Sequence, residues 1–312
     1  MEKRDKVRIW KGFWQLADPK IWIASTVPVL VAAALAYSNT GRFDFFWFLL
    51  SVTGIYLIEI GKNAVNEYVD YKSGADRNVT LENRTPFSGG KKTIVDGKLT
   101  LQEVKVIACG TILAACGLGL FIVVYREFSV LWIGLAGVLI SVFYSVPPFR
   151  FAYTGLGELA VGITFGPLIT AGMYLVLTGS IMPQVIVVSL PIGFLIANVL
   201  WINQYPDYEA DKMADKKNWV VRMGREKGIK IFALLFGLAY AVFPLISFIY
   251  RNPVWLLGLL SIPVAARSVK TARKEFDCTR KLIPANAGTV QVYQVTGLVM
   301  VIASLSNRFV GF

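Results

Sequence analysis

One run of residues combines an amide and two carboxylates at spacings that could serve chemistry. Asn66 and Asp70 are four residues apart, which on a helix places both side chains on one face, a turn apart. Asp76 follows six residues after Asp70, where a straight helix would turn it to another face. Gly74 lies between them and predicts the end or a bend of the helix, which would let Asp76 turn back.

A second run repeats this spacing. Asn203, Asp207 and Asp211 follow one another at intervals of four residues, so one continuous helix would stack the three side chains on one face. The interval from Asn66 to Asn203 equals the interval from Asp70 to Asp207, which indicates a loose internal repeat.

Oxygen-rich side chains of this kind are the ligands that hard cations such as Mg²⁺ prefer. The chain contains no histidine, so histidine is excluded as a general base, and no Cys-x-x-Cys pair indicates zinc or haem. Two acidic clusters that face each other could bind Mg²⁺ ions bridging to the oxygens of a diphosphate. The metal would then stabilise charge on the departing diphosphate as an allylic C–O bond breaks.

A single Asn-x-x-x-Asp pattern at a helix end is more often a solvated terminus than a binding site. Here two such patterns end two hydrophobic segments, and basic residues follow each of them. Lysine and arginine in those loops could hold the remaining phosphate oxygens. The repetition therefore favours a metal and diphosphate site over two unrelated helix ends.

The elements that must position both runs are hydrophobic segments. Of the 312 residues, 55% are hydrophobic and 17% are charged, whereas a soluble domain carries about a quarter charged residues. A helix needs about 20 apolar residues to span a bilayer. Nine segments are near that length: 21–38, 45–64, 105–125, 130–148, 157–178, 184–203, 229–250, 253–269 and 289–305. We predict an all-α polytopic membrane protein of about nine transmembrane helices, forming one domain over residues 1–312.

The net charge of +12 is divided among loops at the ends of these segments. Basic residues concentrate in the N-terminal segment and in the loops after the second, sixth and eighth hydrophobic segments. The positive-inside rule therefore predicts that the N-terminus and both polar runs are cytoplasmic, with Phe312 outside. This distribution fits contact with anionic membrane lipid and not a nucleic-acid partner. Residues 1–20, with Trp10 and Trp14, predict an amphipathic helix at the membrane interface.

At these residues the sequence resembles the UbiA superfamily of intramembrane prenyltransferases. The runs 66–76 and 203–211 are similar to the two metal motifs of that family. The segments 143–158 and 165–168, with the first run, resemble most the branch that prenylates 1,4-dihydroxy-2-naphthoate in menaquinone synthesis. The resemblance implies helices around a central cavity that opens sideways to lipid, an isoprenoid diphosphate as donor, and a cell inner membrane as location.

The resemblance also implies roles for particular residues. Residues that would bind Mg²⁺ or position its waters are Asn66, Asp70, Asp76, Asn203, Asp207 and Asp211, with Asp70 and Asp207 catalytic. Residues that would bind the diphosphate are Arg77, Arg84, Arg150 and Lys216. Tyr144 would be catalytic beside the forming carbocation, which an aromatic face stabilises, or it would simply pack at the interface. Glu158 would lie with Arg150 near the acceptor, or it would be a helix-start carboxylate.

The acceptor is expected to be an aromatic acid or phenol, with 1,4-dihydroxy-2-naphthoate as the first candidate. Against it, the segment 215–219 departs from the naphthoate branch, and the segment 83–90 resembles a loop of hydroxybenzoate enzymes. Glu59 and Lys62 are costly inside lipid. They could pair with each other or line the cavity beside Asn63.

Three other classes compete with this interpretation. A terpene cyclase on the same scaffold would use the same metals without an acceptor, and the motifs leave it open. A membrane transporter usually places its site near the bilayer midplane on broken helices, whereas both runs here end hydrophobic segments. A CDP-alcohol phosphotransferase would need an Asp-Gly-x-x-Ala-Arg core, which the sequence lacks.

Overall fold

The computed structural model describes residues 3–87 and 90–310, and every regular element within these ranges is a helix. The first seven helices are α1 (Lys3–Ala17), α2 (Ile23–Thr40), α3 (Phe45–Ser73), α4 (Leu101–Tyr125), α5 (Val130–Phe143), α6 (Phe151–Thr154) and α7 (Gly157–Ile163). The next seven are α8 (Ile169–Thr178), α9 (Pro183–Asn203), α10 (Tyr208–Met213), α11 (Trp219–Met223), α12 (Arg225–Tyr250), α13 (Ile262–Glu275) and α14 (Thr279–Val310). Phe312, predicted to lie outside the cell, and two residues of the 83–90 loop fall outside the described ranges.

Shorter helical pieces join some of these helices. A π-helical turn, Thr164–Leu168, connects α7 to α8, and a 3-10 helix, Pro253–Ser261, leads into α13. Two further 3-10 turns are Pro19–Trp22 and Leu81–Asn83.

Eight helical segments of the described chain are long and apolar enough to cross a bilayer. They are Arg4–Thr40, Phe45–Ser73, Leu101–Tyr125, Gly157–Thr178, Pro183–Asn203, Arg225–Tyr250, Pro253–Glu275 and Thr279–Val310. The chain is thus a multi-pass membrane protein, and the prediction of an all-helical polytopic fold is confirmed. That residues 1–312 form one domain stays a prediction.

The segment predicted at 130–148 is the exception in length. It forms α5, which has 14 residues and is about 21 Å long, against a hydrocarbon core of about 30 Å. The helix ends before Pro147 and Pro148, because proline has no N–H group for the next helical hydrogen bonds.

The N-terminal helix α1 is amphipathic, as predicted for residues 1–20. Trp10 and Trp14 are exposed, whereas Leu16 is fully buried with Leu99 and Val104 of the loop and helix that follow α3. The position of α1 at a membrane interface stays a prediction.

Close packing of small residues fixes the arrangement of α7, the π turn and α9. A Cβ atom on Gly193 of α9 would lie 2.8 Å from the backbone oxygen of Gly162, and one on Gly166 would lie 2.8 Å from the Cα atom of Gly193. Such small-residue contacts let helix backbones approach closely within membranes. Around them, α9 also packs against α12 and α14, and α14 packs against α2 and α13.

The two polar runs end their helices in different ways. Gly74 caps α3 with φ +88°, and the Asp76 backbone N–H donates to the Asp70 carbonyl at 3.3 Å, so the predicted turn-back of Asp76 is confirmed. The second run does not form one continuous helix. α9 ends at Asn203 and a turn containing Pro206 intervenes, because proline cannot continue the helical hydrogen bonds.

We expect Gly193→Ala to lower the free energy of unfolding by about 1–3 kcal/mol, since overpacking at a backbone contact forces the helices apart. Gly117 of α4 is the matched control, because nothing lies within 4 Å of a Cβ atom there. Gly117→Ala should leave the stability unchanged or raise it by up to about 1 kcal/mol. Thermal unfolding of the purified variants in detergent measures both, and equal melting temperatures would contradict the packing described here.

Candidate active site

The two polar runs meet around the ammonium group of Lys216. Its Nζ atom lies 3.1 Å from Asp70 Oδ2 and 3.5 Å from Asp211 Oδ1. Both carboxylates are buried, with 2% and 5% of their surfaces exposed. The structure therefore brings the end of α3 and the start of α10 into one site, although 137 positions separate Asn66 from Asn203.

Burial removes water from the charged groups that meet here, and this affects their pKa values. Burial raises the pKa of Asp211 to about 6, because a carboxylate loses hydration there. Burial acts to lower the pKa of Lys216, but the carboxylates of Asp211 and Asp70 outweigh it and raise that pKa well above its ordinary value. The lysine thus keeps its charge between two carboxylates.

Asp70 is held by neighbours on both of its oxygens. The hydroxyl of Tyr153 donates to Oδ1 at 2.6 Å, and Asn66 Nδ2 donates to Oδ2 at 3.2 Å. Asn66 also donates to Ser145 Oγ at 3.0 Å, which ties α3 to the segment after α5. The hydrogen bond from Asn66 to Asp70 confirms the predicted alignment of these two residues on one helix face.

Asp76 lies beyond Gly74 in a buried position, 3% exposed. Burial raises its pKa to about 8, and the carboxylates of Asp70 and Glu67 add to the rise. Within the described residues its Oδ2 atom accepts no hydrogen bond. A Cβ atom on Gly90 would collide with the other oxygen, so glycine is what lets the loop backbone pack directly against this carboxylate.

The second run is organised by amide side chains from other elements. Asn203 Oδ1 accepts a hydrogen bond from Asn286 Nδ2 of α14 at 2.8 Å. Asp211 Oδ2 accepts from Asn218 Nδ2 at 2.8 Å. Asp207 is 7% exposed, and its carbonyl accepts the backbone N–H of Asp211 at 2.8 Å, so these two lie one turn apart.

These oxygens suit Mg²⁺, although among residues 3–87 and 90–310 no three acidic or cysteine side chains converge closely enough to surround one ion. Mg²⁺ at phosphate sites usually takes one or two carboxylates and completes its shell with water and phosphate oxygens. Buried carboxylates on both runs fit such partial coordination, as does the buried Oδ2 atom of Asp76, which accepts no hydrogen bond within the described residues.

The four basic residues predicted to bind the diphosphate lie in different surroundings. Lys216 is the one of the four that forms salt bridges with the polar runs. The Arg150 guanidinium stacks 3.9 Å from the centre of the Tyr153 ring, next to Asp70. Arg77 is exposed beside a tyrosine ring of α3, and Arg84 forms a 3.0 Å salt bridge with a loop carboxylate instead of facing the runs.

Glu158 has partners that do not belong to an acceptor pocket. Its Oε1 atom accepts hydrogen bonds from Gln204 Nε2 at 2.9 Å and from the backbone N–H of Trp219 at 3.1 Å. The carboxylate sits in the first turn of α7 and ties it to the chain on both sides of α10. This geometry favours the interpretation of Glu158 as a helix-start carboxylate, and its role near the acceptor stays a prediction.

A cavity of about 40 Å³ lies between α3, α5, α7 and α8. Its wall is mostly apolar, with Ile55, Ile140 and Phe165 among the lining residues. Tyr144 lines it, as predicted, while its catalytic role is untested. Glu59 and Lys62 also line this cavity. Of the two alternatives given for this pair, the geometry therefore supports the one in which both side chains line the cavity.

Two residues that organise the site were missed by sequence reasoning. Tyr153 bonds to Asp70 across 83 positions. Glu67 accepts hydrogen bonds from the backbone N–H groups of Lys91, Lys92 and Ile94 at 2.8–3.1 Å, which fixes the loop after the first run. The local signal for Glu67 was its place one residue after Asn66, but its partners lie 24–27 positions away.

The chain thus has an all-helical membrane fold in which carboxylates of two acidic runs meet at one lysine. Residues 25–281 match the UbiA prenyltransferase family, and the chain belongs to that family. The predicted resemblance is therefore confirmed.

Relatives and solved structures agree with this assignment. The chain is 29% identical over 300 residues to a 1,4-dihydroxy-2-naphthoate octaprenyltransferase of Bacillus subtilis, covering 95% of this chain and 93% of that protein. It is 26% identical to the Escherichia coli protein of the same name, over 95% of this chain and 98% of that one. A UbiA homolog from Archaeoglobus fulgidus, solved with DMAPP and Mg²⁺, shares the fold with a TM-score of 0.64 and 17% identity, covering 92% of this chain and 98% of that chain.

Proposed function

We propose that this protein transfers a polyprenyl group from an isoprenoid diphosphate to an aromatic acceptor, with 1,4-dihydroxy-2-naphthoate as the preferred acceptor. One observation carries the proposal: buried carboxylates of both polar runs meet across Lys216. Membership in the UbiA prenyltransferase family and relatives named for this acceptor across most of their length support it.

Mg²⁺ is the implied cofactor, held by Asp70, Asp76, Asp207 and Asp211, with Asn66 and Asn203 as neutral oxygen donors. When bound, it supplies positive charge that stabilises the departing diphosphate.

The residues of the chain prepare this step in several ways. Tyr153 and Asn66 orient the Asp70 carboxylate through their hydrogen bonds. The Lys216 ammonium lies where it can donate to phosphate oxygens, and Arg150 stacks beside it on the same tyrosine ring. These positively charged groups balance a ligand that carries several negative charges.

The apolar cavity suits the fate of an allylic cation. Its wall of isoleucine and phenylalanine side chains excludes water, which would otherwise quench the cation. The face of Tyr144 offers electron density to the cation. An electron-rich ring can attack without a strong base, which agrees with the absence of histidine from the chain.

Metal dependence is tested by charge-neutral substitutions. We expect Asp70→Asn or Asp207→Asn to lower turnover by at least about 100-fold, because each removes charge that holds the cation opposite the diphosphate. EDTA should abolish turnover by the wild type, and added Mg²⁺ should restore it. Asp215→Asn is the matched control, because that aspartate is 81% exposed and pairs with Lys217. Normal turnover by a folded Asp70 or Asp207 variant would refute the two-run site.

The acceptor is tested with purified protein, Mg²⁺ and labelled farnesyl or geranylgeranyl diphosphate. We expect prenylated naphthoquinol from 1,4-dihydroxy-2-naphthoate, at a higher kcat/KM than from hydroxybenzoate. Prenylated hydroxybenzoate as the main product would instead assign the protein to the hydroxybenzoate prenyltransferases of the same family. A cyclic hydrocarbon or alcohol formed equally well without acceptor would establish the terpene-cyclase alternative instead.

We also propose that the protein lies in a cell inner membrane with the N-terminus and both polar runs on the cytoplasmic side. The distribution of basic loops supports this orientation. In a background with all three cysteines replaced by serine, Lys212→Cys should react with an impermeant maleimide from the cytoplasmic side and Ser180→Cys from the opposite side. Labelling of position 212 from the outside alone would contradict the orientation.

A further inference from the structure

The cavity contains one acidic and one basic side chain that the proposed mechanism does not use. Glu59 and Lys62 stand three positions apart on α3 and both line the cavity among apolar side chains. Charged groups in such surroundings are costly unless they are paired or bind something. Their presence therefore calls for a ligand or for a satisfied pair.

Glu59 and Lys62 attract each other, but within the described residues they form no salt bridge. Glu59 is 4% exposed, and its Oε2 atom accepts a hydrogen bond from Ser25 at 2.5 Å. Its Oε1 atom is buried and accepts no hydrogen bond in the described part of the chain. No carboxylate oxygen of residues 3–87 or 90–310 lies within 4.0 Å of Lys62 Nζ, which instead lies 5.9 Å from the centre of the Tyr144 ring.

The place of the pair relative to the metal motifs is set by helix geometry. Lys62, Asn66 and Asp70 follow one another at four-residue intervals on α3, so they share a face at steps of about 6 Å. A ring held at Lys62 would therefore lie one to two turns from the carboxylate that faces the diphosphate. That separation leaves room for the reacting carbon of the donor between the two.

We propose that Glu59 and Lys62 form the recognition site for the acceptor, and that the site selects an aromatic acid with a hydroxyl group next to its carboxylate. This inference rests on the proposed function and adds the residues that choose the acceptor. The Lys62 ammonium binds the carboxylate of the acceptor. The Oε1 atom of Glu59 accepts a hydrogen bond from the neighbouring hydroxyl.

The chemistry of the two groups defines the ligand. Lysine carries donors and a positive charge, which suit a carboxylate, whereas an ionised glutamate has only acceptors, which suit a hydroxyl group. The apolar walls suit the faces of a flat ring system, and the cavity of about 40 Å³ would widen to admit one. A phenol without an acid group would leave the lysine unpaired in the cavity, which disfavours it.

The test compares three ring compounds that do not themselves require turnover. They are 1-hydroxy-2-naphthoate, 1-naphthol without the carboxylate, and 2-naphthoate without the hydroxyl. Equilibrium dialysis against the purified protein in detergent measures each dissociation constant. The wild type should bind 1-hydroxy-2-naphthoate on the order of 10-fold more tightly than either simpler compound, because each loses one hydrogen bond in the cavity, the one to Lys62 being charge-assisted.

Variants assign the two contacts separately. Lys62→Met keeps the length of the side chain and should remove the preference over 1-naphthol, whereas Lys62→Arg should retain most of it. Glu59→Gln keeps an oxygen for Ser25 and should remove the preference over 2-naphthoate. Thr164→Val is the control, because Thr164 lines the same cavity and its buried hydroxyl makes no hydrogen bond within the described residues. Thermal unfolding confirms that each variant is folded.

Two results would overturn the inference. One is a wild type without preference for the carboxylate, and the other is a folded Lys62→Met protein that keeps the wild-type preference. The proposed function fails separately if the wild type prenylates no aromatic acceptor. In that case the binding assay would still show whether the wild type discriminates among these ligands. With turnover established, Lys62→Met should raise the KM for 1,4-dihydroxy-2-naphthoate by about 10-fold and leave the KM for the prenyl diphosphate unchanged.

Discussion

Asp70 and Asp211 lose their hydration when α3 and α10 come together, and Lys216 supplies the charge that compensates for this loss. Two carboxylates so close in buried surroundings would repel each other without a cation between them. The arrangement of the surrounding helices depends on this interaction, because it joins the first and second halves of the chain.

Around this contact, side chains from distant segments fix each carboxylate in place. Tyr153 holds Asp70, Asn218 holds Asp211, and Asn286 of α14 holds Asn203. The loop that follows the first run is fixed by the Glu67 carboxylate through three backbone N–H groups. Such a shell of hydrogen bonds fixes the orientation of the carboxylate and amide oxygens.

The interior beyond the carboxylates has the opposite character. Its walls are apolar and reach from α3 to α5, α7 and α8. Close contacts at Gly162, Gly166 and Gly193 bring α7 and α9 together beside this interior. The charged runs and the apolar interior thus meet beside α3, where Lys62 of α3 faces the ring of Tyr144 at the end of α5.

The sequence by itself determined the helical membrane architecture, the four-residue spacing of the two polar runs and the turn after Gly74. Hydrophobic length, four-residue spacing and the backbone freedom of glycine are local properties, so they can be recognised without knowledge of the fold. The break between Asn203 and Asp207 was also locally encoded, by Pro206, but the regular spacing concealed it.

Only the tertiary structure decided which side chains face one another. In the folded chain Lys216 lies between the two runs. Arg84 pairs with a loop carboxylate, and Glu158 accepts hydrogen bonds from Gln204 and Trp219. The tertiary structure also turned Glu59 and Lys62 toward a common cavity instead of toward lipid. These outcomes depend on contacts between residues tens to more than a hundred positions apart, and no local pattern specifies which helix faces will pack together.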